Sequence, residues 1–306
     1  MEQVVFNAAT GAKVRRSECI VSELKRILKS KTPGTLLDVG CGNGGFLRCF
    51  SEYFPKSALS GLEWDNRNRE KILDIKQVEN FYMEMPSDIS FGAISLVHVL
   101  EHIPEPRLYL RSLIPLLEDD GVLILQVPDI NQNPFDLMIY DHCSHFNMDT
   151  LTSTLTSVGY QIIYASDSCV GKELTVFAIP EGKSDFTQEL LVSNVTGTTS
   201  TSIDWLLNFS RIIETSTANR RYGIFGTSIA ASWVAGLFPE KAAFFIDEDI
   251  NRIGRQHLGM DILSTQDAPK DYPIVMAMIP QAASKITPRL TSAGFEVIQP
   301  PLDVLN

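Results

Sequence analysis

Three glycines at alternate positions could hold a nucleotide-derived ligand. Gly40, Gly42 and Gly44 follow the short apolar run 35–39 and precede residues 45–53, which have helical spacing. Glycine lets a chain turn tightly and lets a ligand approach the main chain, and a helix start supplies unpaired N–H groups. The pattern predicts a cofactor-binding turn between a strand and a helix. A turn that binds nothing is the alternative.

Two acids narrow the choice of cofactor. Glu63 lies 19 residues after Gly44, at the end of the predicted strand 58–62, where a carboxylate can bind both ribose hydroxyls. Asp65 is a nearby competitor for this role. Asp38 precedes the glycines, whose Gly-x-Gly-x-Gly spacing differs from the dinucleotide pattern. Because an acid there would repel a pyrophosphate and suits a positive charge, we predict S-adenosylmethionine as the cofactor.

Histidines and acids follow two of the predicted strands and could perform acid–base chemistry. His102 comes after the apolar run 93–100, and Tyr140, Asp141 and His142 lie in a second, denser group with His145. Histidine is a suitable base near neutral pH. A metal site would need a third or fourth ligand at good spacing, and none is obvious, so we predict no metal. Hydrogen-bonded histidines that only cap or pack loops are the alternative.

Strands and helices alternate along the first part of the chain. Such alternation predicts a parallel, doubly wound α/β sheet, whose ligand site lies beyond the carboxyl ends of the strands. A short turn separates two later strands, which predicts an antiparallel final pair. The predicted strands are 35–39, 58–62, 93–100, 122–127, 161–165 and 173–179, and the predicted helices are 13–29, 45–53, 66–75, 108–117 and 150–158.

A second alternating unit begins after a region rich in Ser, Thr and Gly. We predict a cofactor-binding domain at 1–182, a linker and helix at 183–217, and a small Rossmann-like α/β domain at 218–306. The last domain opens on a glycine loop, Gly223 to Ser228, with strands at 222–225, 243–246, 274–278 and 296–298. Nucleotide contact and a structural, dimerising or site-covering role all stay open for it, so a homodimer is one expectation.

Composition excludes several classes of partner. The net charge is −11, and 44% of the 306 residues are hydrophobic, as in an ordinary globular protein. An acidic surface repels phosphate backbones, so we expect no nucleic acid partner. No apolar run approaches the roughly 20 residues that cross a bilayer, so we expect no membrane span. Five scattered cysteines without a CxxC pair, and no signal peptide, lead us to expect a reduced, cytoplasmic protein.

The glycine loop carries a resemblance to a known family. Residues 36–44, Leu-Leu-Asp-Val-Gly-Cys-Gly-Asn-Gly, resemble motif I of the class I S-adenosylmethionine-dependent methyltransferases, and the similarity runs from about 35 to 179. Residues 61–63 resemble the ribose-binding strand end, 94–103 the fourth strand and its turn, and 116–121 the helix end before strand five. Gly92-Ala93 departs from the aspartate usual in relatives. The resemblance implies a cofactor site of Asp38, Gly40, Cys41, Gly42, Asn43, Gly44, Glu63, Met83 and His98.

Residues 141–147 resemble a narrower group, the methyltransferases of sugars and of nucleotide-linked sugars. Enzymes of this group that methylate carbon carry an acid–histidine pair followed by phenylalanine here, and a histidine at the position of His102. The resemblance implies that His142 is a general base, with His102, Asp141 and Tyr140 in the catalytic group. The clustered cysteines of their N-terminal zinc domain do not occur in this sequence, so oxygen methylation of a sugar or other small molecule stays open.

The predicted function is therefore methyl transfer to a small-molecule acceptor, a sugar, nucleotide sugar or saccharide. Two alternatives from other classes remain. One is an NAD-type oxidoreductase that uses the glycine loops, and the other is a non-catalytic protein that kept the cofactor-binding fold.

Overall fold

A computed structural model describes the chain at residues 4–6, 13–182, 189–191 and 199–302. The chain divides into two compact units. The first consists of Met1–Asp129 and Asp141–Asn194, and the second of Ile130–Tyr140 and Val195–Asn306. No helix in the described part of the chain is both long and apolar enough to cross a membrane.

The first unit alternates strands and helices as its apolar runs predict. Its elements in chain order are β1 (Val4–Phe6), β2 (Lys13–Arg15), α1 (Arg16–Leu28), β3 (Thr35–Val39), α2 (Gly45–Tyr53), β4 (Ala58–Leu62), α3 (Arg69–Leu73), β5 (Val78–Tyr82), β6 (Phe91–Val97), α4 (Pro106–Leu113), β7 (Leu117–Pro128), α5 (Met148–Thr156), β8 (Tyr160–Ser166), β9 (Glu173–Pro180) and β10 (Glu189–Leu191).

An eight-stranded sheet organises this unit, in the order β10-β8-β9-β7-β6-β3-β4-β5. Strands β5, β4, β3, β6 and β7 are parallel neighbours, whereas β9 runs antiparallel to both β7 and β8. The predicted doubly wound sheet with an antiparallel final strand is confirmed. Five parallel strands place their carboxyl ends, and the residues that follow them, at one edge of the sheet.

Helices cover both faces of the sheet, because its central strands are apolar on both sides. On one face α1 and α2 bury residues such as Ile20, Leu24 and Phe50 against the sheet. On the other face α4 and α5 bury Leu110 and Leu151 in a separate cluster. The sheet therefore lies between two layers of helices, with a buried apolar cluster on each face.

The sequence placed some boundaries wrongly and missed one strand of the parallel set. The predicted helix 66–75 contracts to α3, and the predicted strand 93–100 ends at Val97 because His98 adopts a left-handed φ of 56°. Strand β5 was not predicted, since only Phe81 in its sequence is buried. It pairs with β4 alone and is the outermost strand on its side of the sheet, where a strand needs little apolar surface.

The second unit has its own parallel sheet, in the order β13-β14-β12-β11-β15-β16, with β13 antiparallel to β14. This agrees with the predicted small Rossmann-like domain. Its elements are α6 (Thr199–Thr217), β11 (Tyr222–Phe225), α7 (Ile229–Leu237), β12 (Ala242–Ile246), β13 (Gln256–His257), β14 (Met260–Leu263), β15 (Ile274–Met276), α8 (Pro280–Ser292) and β16 (Val297–Ile298).

The predicted linker and helix, 183–217, contains helix α6 of the second unit. Trp205 and Phe209 of α6 are buried in one cluster with Ile224 and with Phe135, which comes from the Ile130–Tyr140 segment. Residues 183–188 and 192–198 of the predicted linker lie outside the described residues. The predicted functional boundaries at 182 and 218 stay a prediction.

Candidate functional site

The turns beyond the parallel strands are tied to one another by main-chain hydrogen bonds. Cys41 donates its N–H to Leu62 at the end of β4 (3.1 Å), and Glu63 donates to Tyr82 at the end of β5 (3.0 Å). The N–H of His98 donates to Gln126 of β7 (2.9 Å). These bonds continue the sheet ladder past the strand ends and fix the positions of the side chains that follow.

The glycine loop requires glycine at its first position for two reasons. Gly40 has a φ of 66°, in the left-handed region, and a Cβ built on it would lie 2.5 Å from Cγ2 of Val99. The loop therefore packs directly against the turn that follows β6. Helix α2 then begins at Gly45 without a side-chain cap, so the main-chain N–H groups of its first turn face the loop region.

Glu63 is the acid that contacts the glycine loop. Its Oε2 accepts a hydrogen bond from the N–H of Gly42, and its Oε1 accepts one from Trp64, both at 3.0 Å. The competitor Asp65 instead binds the guanidinium of Arg67 (2.8 Å to Nε), which lowers the pKa of that carboxyl. The geometry favours Glu63 over Asp65 as the acceptor for ribose hydroxyls.

Asp38 is a buried acid beneath the loop. Its side chain is 2% exposed, and its Oδ1 accepts a 2.7 Å hydrogen bond from the Ser95 hydroxyl on β6. Burial raises the pKa of Asp38 to about 7; the bond from Ser95 opposes this rise, and the charge of Glu63 adds to it. The chain thus holds, below its glycines, a carboxylate that a neighbouring cation would stabilise.

The remaining predicted cofactor residues differ in how far their side chains are exposed. Cys41 is buried, so its predicted contact would come from the main chain. Asn43 is exposed and its carbonyl accepts a hydrogen bond from Arg48. Met83 directly follows β5 and is half exposed. Trp64, which the sequence reasoning missed, is 77% exposed beside Glu63 and offers a flat apolar surface. The cofactor contacts of these residues stay a prediction.

His98 is held between two carboxylates. Its Nδ1 lies 2.9 Å from Oε1 of Glu101 and its Nε2 lies 3.2 Å from Oε1 of Glu173, which also accepts from Arg16 at 2.8 Å. Burial lowers the pKa of His98, but the two carboxylates outweigh burial and raise it to about 9. The imidazole is therefore a cation at neutral pH. Since its side chain is occupied, its predicted cofactor contact would come from the main chain.

The predicted catalytic histidines come together on the turn after β6. The rings of His102 and His142 lie 4.7 Å apart, edge to face. Nδ1 of His102 lies 3.1 Å from the Asp141 carbonyl oxygen and 3.3 Å from its Oδ2. Because both neighbours are acceptors, Nδ1 carries the proton and Nε2 of a neutral His102 is left with the lone pair. The sequence placed these residues 40 positions apart, and the fold makes them one group.

The loop that carries His142 is fastened to the same turn. The N–H groups of Cys143 and Ser144 donate to the Glu101 carbonyl, at 2.7 and 3.1 Å. A β-bridge between Asp129 and Phe146 holds the far end of the loop. The sequence analysis assigned no role to Glu101, although it directly precedes His102. These main-chain bonds hold the loop against the turn that carries His102.

His145 and Tyr140, the other two residues of the predicted group, lie outside the His102–His142 pair. The ring of His145 lies 6.3 Å from that of His142. Tyr140 belongs to the second unit and its side chain is fully exposed. Its catalytic part stays a prediction.

At the second glycine loop, the carboxylate of Asp247 accepts hydrogen bonds from neighbouring residues of the same unit. Asp247 follows β12, and its Oδ2 accepts from the Thr227 hydroxyl (2.6 Å). Its Oδ1 accepts from the N–H groups of Glu248 and Asp249. Arg252 also donates to Thr227. These bonds are those of a closed local turn, and they neither support nor oppose nucleotide contact.

Comparison with known proteins assigns the first part of the chain to a family. Residues 13–165, half of the chain, match the family described as a methyltransferase domain. The chain belongs to that family. Its cofactor is S-adenosylmethionine, as the sequence predicted, and the glycine loop, Glu63 and Asp38 all lie within the matched residues.

Two curated relatives match part of the chain. It is 27% identical over 164 residues to the C-methyltransferase NovU of Streptomyces niveus, covering 49% of this chain and 38% of that protein. It is 25% identical over 111 residues to the trans-aconitate 2-methyltransferase of Rhodopseudomonas palustris (strain HaA2), covering 35% of this chain and 43% of that protein. The chain thus spans about two fifths of the length of each relative.

Solved structures of low sequence identity also match. The plantazolicin methyltransferase BpumL, solved with S-adenosylhomocysteine, is 19% identical, with a TM-score of 0.45 over 54% of this chain and 82% of that one. The 1,6-didemethyltoxoflavin-N1-methyltransferase of Burkholderia thailandensis is 15% identical, with a TM-score of 0.42 over 54% of this chain and 76% of that one.

Proposed function

We propose that this protein transfers a methyl group from S-adenosylmethionine to a sugar-type small molecule, with His142 as the general base. The observation that carries the proposal is the paired His102 and His142, fastened to the turn against which the glycine loop packs. The bound cofactor supplies a methyl group on a sulfonium, open to in-line attack. The chain must then align an acceptor and remove its proton.

The cofactor end of the site is built for a cation. Asp38 is buried and accepts a hydrogen bond from Ser95, so an adjacent positive charge would stabilise its ionised form. Glu63 already contacts the loop at Gly42, where a ribose would lie in a fold of this type. A pyrophosphate would instead meet two carboxylates, which weighs against the oxidoreductase alternative.

The contact between Gly40 and Val99 supports a role for the histidines in chemistry. Val99 lies between the cofactor loop and the turn that carries His102. A base must lie within hydrogen-bond reach of the proton that it removes, and both histidines are partly exposed on this turn and its loop. Asp141 orients His102, which in turn packs against His142 and limits the directions in which that ring can point.

A sugar acceptor is supported by the resemblance of residues 141–147 to sugar methyltransferases. The curated name of one relative is C-methyltransferase, which favours carbon as the methylated atom. Carbon methylation needs a proton removed from a carbon next to a carbonyl, and a single histidine base is suited to this step. A hydroxyl acceptor would need the same base.

The proposal is tested with His142→Asn and a matched control, His257→Asn. His257 lies in the second unit, where its Nε2 is 2.8 Å from the Ser232 hydroxyl. Methyl transfer from radiolabelled cofactor is measured over a panel of keto-sugar nucleotides and free saccharides. Turnover should fall about 100-fold or more in His142→Asn, because general base catalysis contributes about that much. It should stay near the native rate in the control.

Measuring cofactor affinity distinguishes loss of the general base from damage to the cofactor site. S-adenosylhomocysteine should bind His142→Asn as tightly as the native chain in calorimetry. Native turnover in His142→Asn would exclude it as the base, and absence of transfer to any saccharide by the native chain would exclude the sugar acceptor.

A further inference from the structure

The fold adds a third potential ligand to the two paired histidines. Glu101, His102 and His142 each offer one ligand atom within 4.8 Å of the others. Spacing along the chain does not predict this set, because His102 and His142 are 40 positions apart and Glu101 is adjacent to His102. All three residues belong to the first unit.

Glu101 is a buried carboxylate beside the two histidines, which is unusual for an acidic side chain. It is fully buried, and only its Oε1 is bonded, to Nδ1 of His98 at 2.9 Å. Its Oε2 is buried and has no hydrogen-bond partner in the described part of the chain. A buried carboxylate oxygen without a partner costs free energy, and a cation next to the histidines would recover it.

We propose that Glu101, His102 and His142 bind one divalent transition-metal ion of the Zn²⁺ type. Two imidazoles and one carboxylate form the ligand set of three-residue zinc sites, and they leave a fourth position for water or a substrate oxygen. Mg²⁺ and Ca²⁺ prefer sets made of oxygen alone, so these nitrogen ligands favour Zn²⁺ over them.

The residues behind the ligands have the arrangement expected around a metal. Nδ1 of His102 is held by Asp141, which orients the ring so that Nε2 can bind an ion. Oε1 of Glu101 is held by His98, which Glu173 supports in turn. Such outer partners fix the ligand orientation and are typical of metal centres.

The distances allow a site after a small closure. Ligand atoms about 2.1 Å from a shared ion in a tetrahedron lie about 3.4 Å apart. A separation at the present upper limit of 4.8 Å therefore has to shorten by about 1.4 Å. His142 is partly exposed on a loop, so rotation of its side chain supplies this movement without disturbing the buried Glu101.

Zinc and base catalysis would compete for His142. A bound ion uses the lone pair with which the proposed base removes a proton, so we expect Zn²⁺ to inhibit methyl transfer. Metal binding itself needs neither cofactor nor acceptor. It can therefore succeed or fail independently of the proposed function.

The test is direct metal binding by the full chain after removal of metal with a chelator. Equilibrium dialysis with Zn²⁺ should give one equivalent per chain, and Co²⁺ should give the visible absorption bands of a four-coordinate site. Affinity should fall at least about tenfold in His102→Asn, in His142→Asn and in Glu101→Gln, since each removes one ligand. Both probes report on coordination and not on activity.

Control variants exclude other metal-binding groups. Cys143→Ser removes an exposed thiol whose Sγ lies 3.6 Å from the His102 carbonyl oxygen, and His257→Asn removes a distant imidazole. Both should bind one Zn²⁺ with native affinity. Loss of the site in Cys143→Ser, native affinity in His102→Asn and His142→Asn, or less than one equivalent in the native chain would overturn the proposal. If Glu101→Gln does not fold, the two histidine variants decide.

Discussion

Ionisation of Asp38 should make cofactor affinity depend on pH. The carboxyl is buried and its pKa is about 7, so near neutrality the chain holds a mixture of neutral and charged forms. S-adenosylhomocysteine carries an ammonium group, which favours the charged form of an adjacent acid. The apparent affinity is then the intrinsic affinity multiplied by the fraction of chains in which Asp38 is ionised.

The size of the effect follows from the pKa. At a pKa of about 7 the ionised fraction rises from about 9% at pH 6 to about 91% at pH 8. Affinity for S-adenosylhomocysteine should therefore rise about tenfold over this interval. Binding at pH 6 should also release close to one proton per ligand.

Calorimetry in two buffers of different ionisation enthalpy measures both quantities. Asp38→Asn keeps an oxygen that can accept from Ser95, but it cannot ionise. We expect weaker binding in this variant and no rise between pH 6 and pH 8. A tenfold rise that persists in Asp38→Asn belongs to another group and refutes the reasoning.

The same pKa gives a stability effect of unusual sign. The folded pKa of Asp38 lies above the ordinary value, so folding favours the protonated form. The free energy of unfolding should fall as pH rises from about 4 to about 7, by up to about 4 kcal/mol in total. Asp38→Asn should escape this loss and exceed the native chain in stability at pH 8 in urea unfolding. Equal stabilities at that pH would contradict burial as the cause.

Two further predictions concern neighbouring charges. Glu63→Gln should weaken S-adenosylhomocysteine binding at least about tenfold, because a charged hydrogen bond contributes about 1.5–3 kcal/mol. Asp65→Asn should change the affinity less than about twofold, because the native carboxylate is bound to Arg67. If calorimetry gives the reverse order, the ribose contact belongs to Asp65. His98 has a raised pKa of about 9, so its contribution to stability, about 3 kcal/mol, is complete below about pH 6.5 and is lost as pH rises through about 9. Urea unfolding at pH 6, 8 and 10 should show this loss in the native chain and not in His98→Gln, and an identical slope in both would assign it elsewhere.

The strand and helix order could be read from the sequence because the central strands are continuous apolar runs. Strands β3 and β4 and helix α2 have the predicted boundaries. The edge strand β5 was missed because it buries one residue only. A pattern of hydrophobicity reports burial, and an edge strand has little of it.

The backbone conformation of the glycine loop could also be predicted from local sequence. A left-handed φ favours glycine and a close approach requires it, so the positions of Gly40, Gly42 and Gly44 reflect the backbone conformation of the loop. Glu63 could be found because its distance along the chain from the loop reflects one strand–helix–strand repeat. The sequence also favoured Glu63 over Asp65, but it could not show that Asp65 is paired with Arg67.

Only the tertiary structure decided what the histidines and acids do to one another. His98 could be read as a neutral cofactor contact, yet Glu101 and Glu173 make it a cation, and Glu173 comes from a strand 75 residues later. The unpartnered oxygen of Glu101 beside His102 and His142 is likewise invisible in the sequence. A side chain's pKa and its ligands depend on charges and burial contributed by distant segments, and sequence spacing carries no record of those distances.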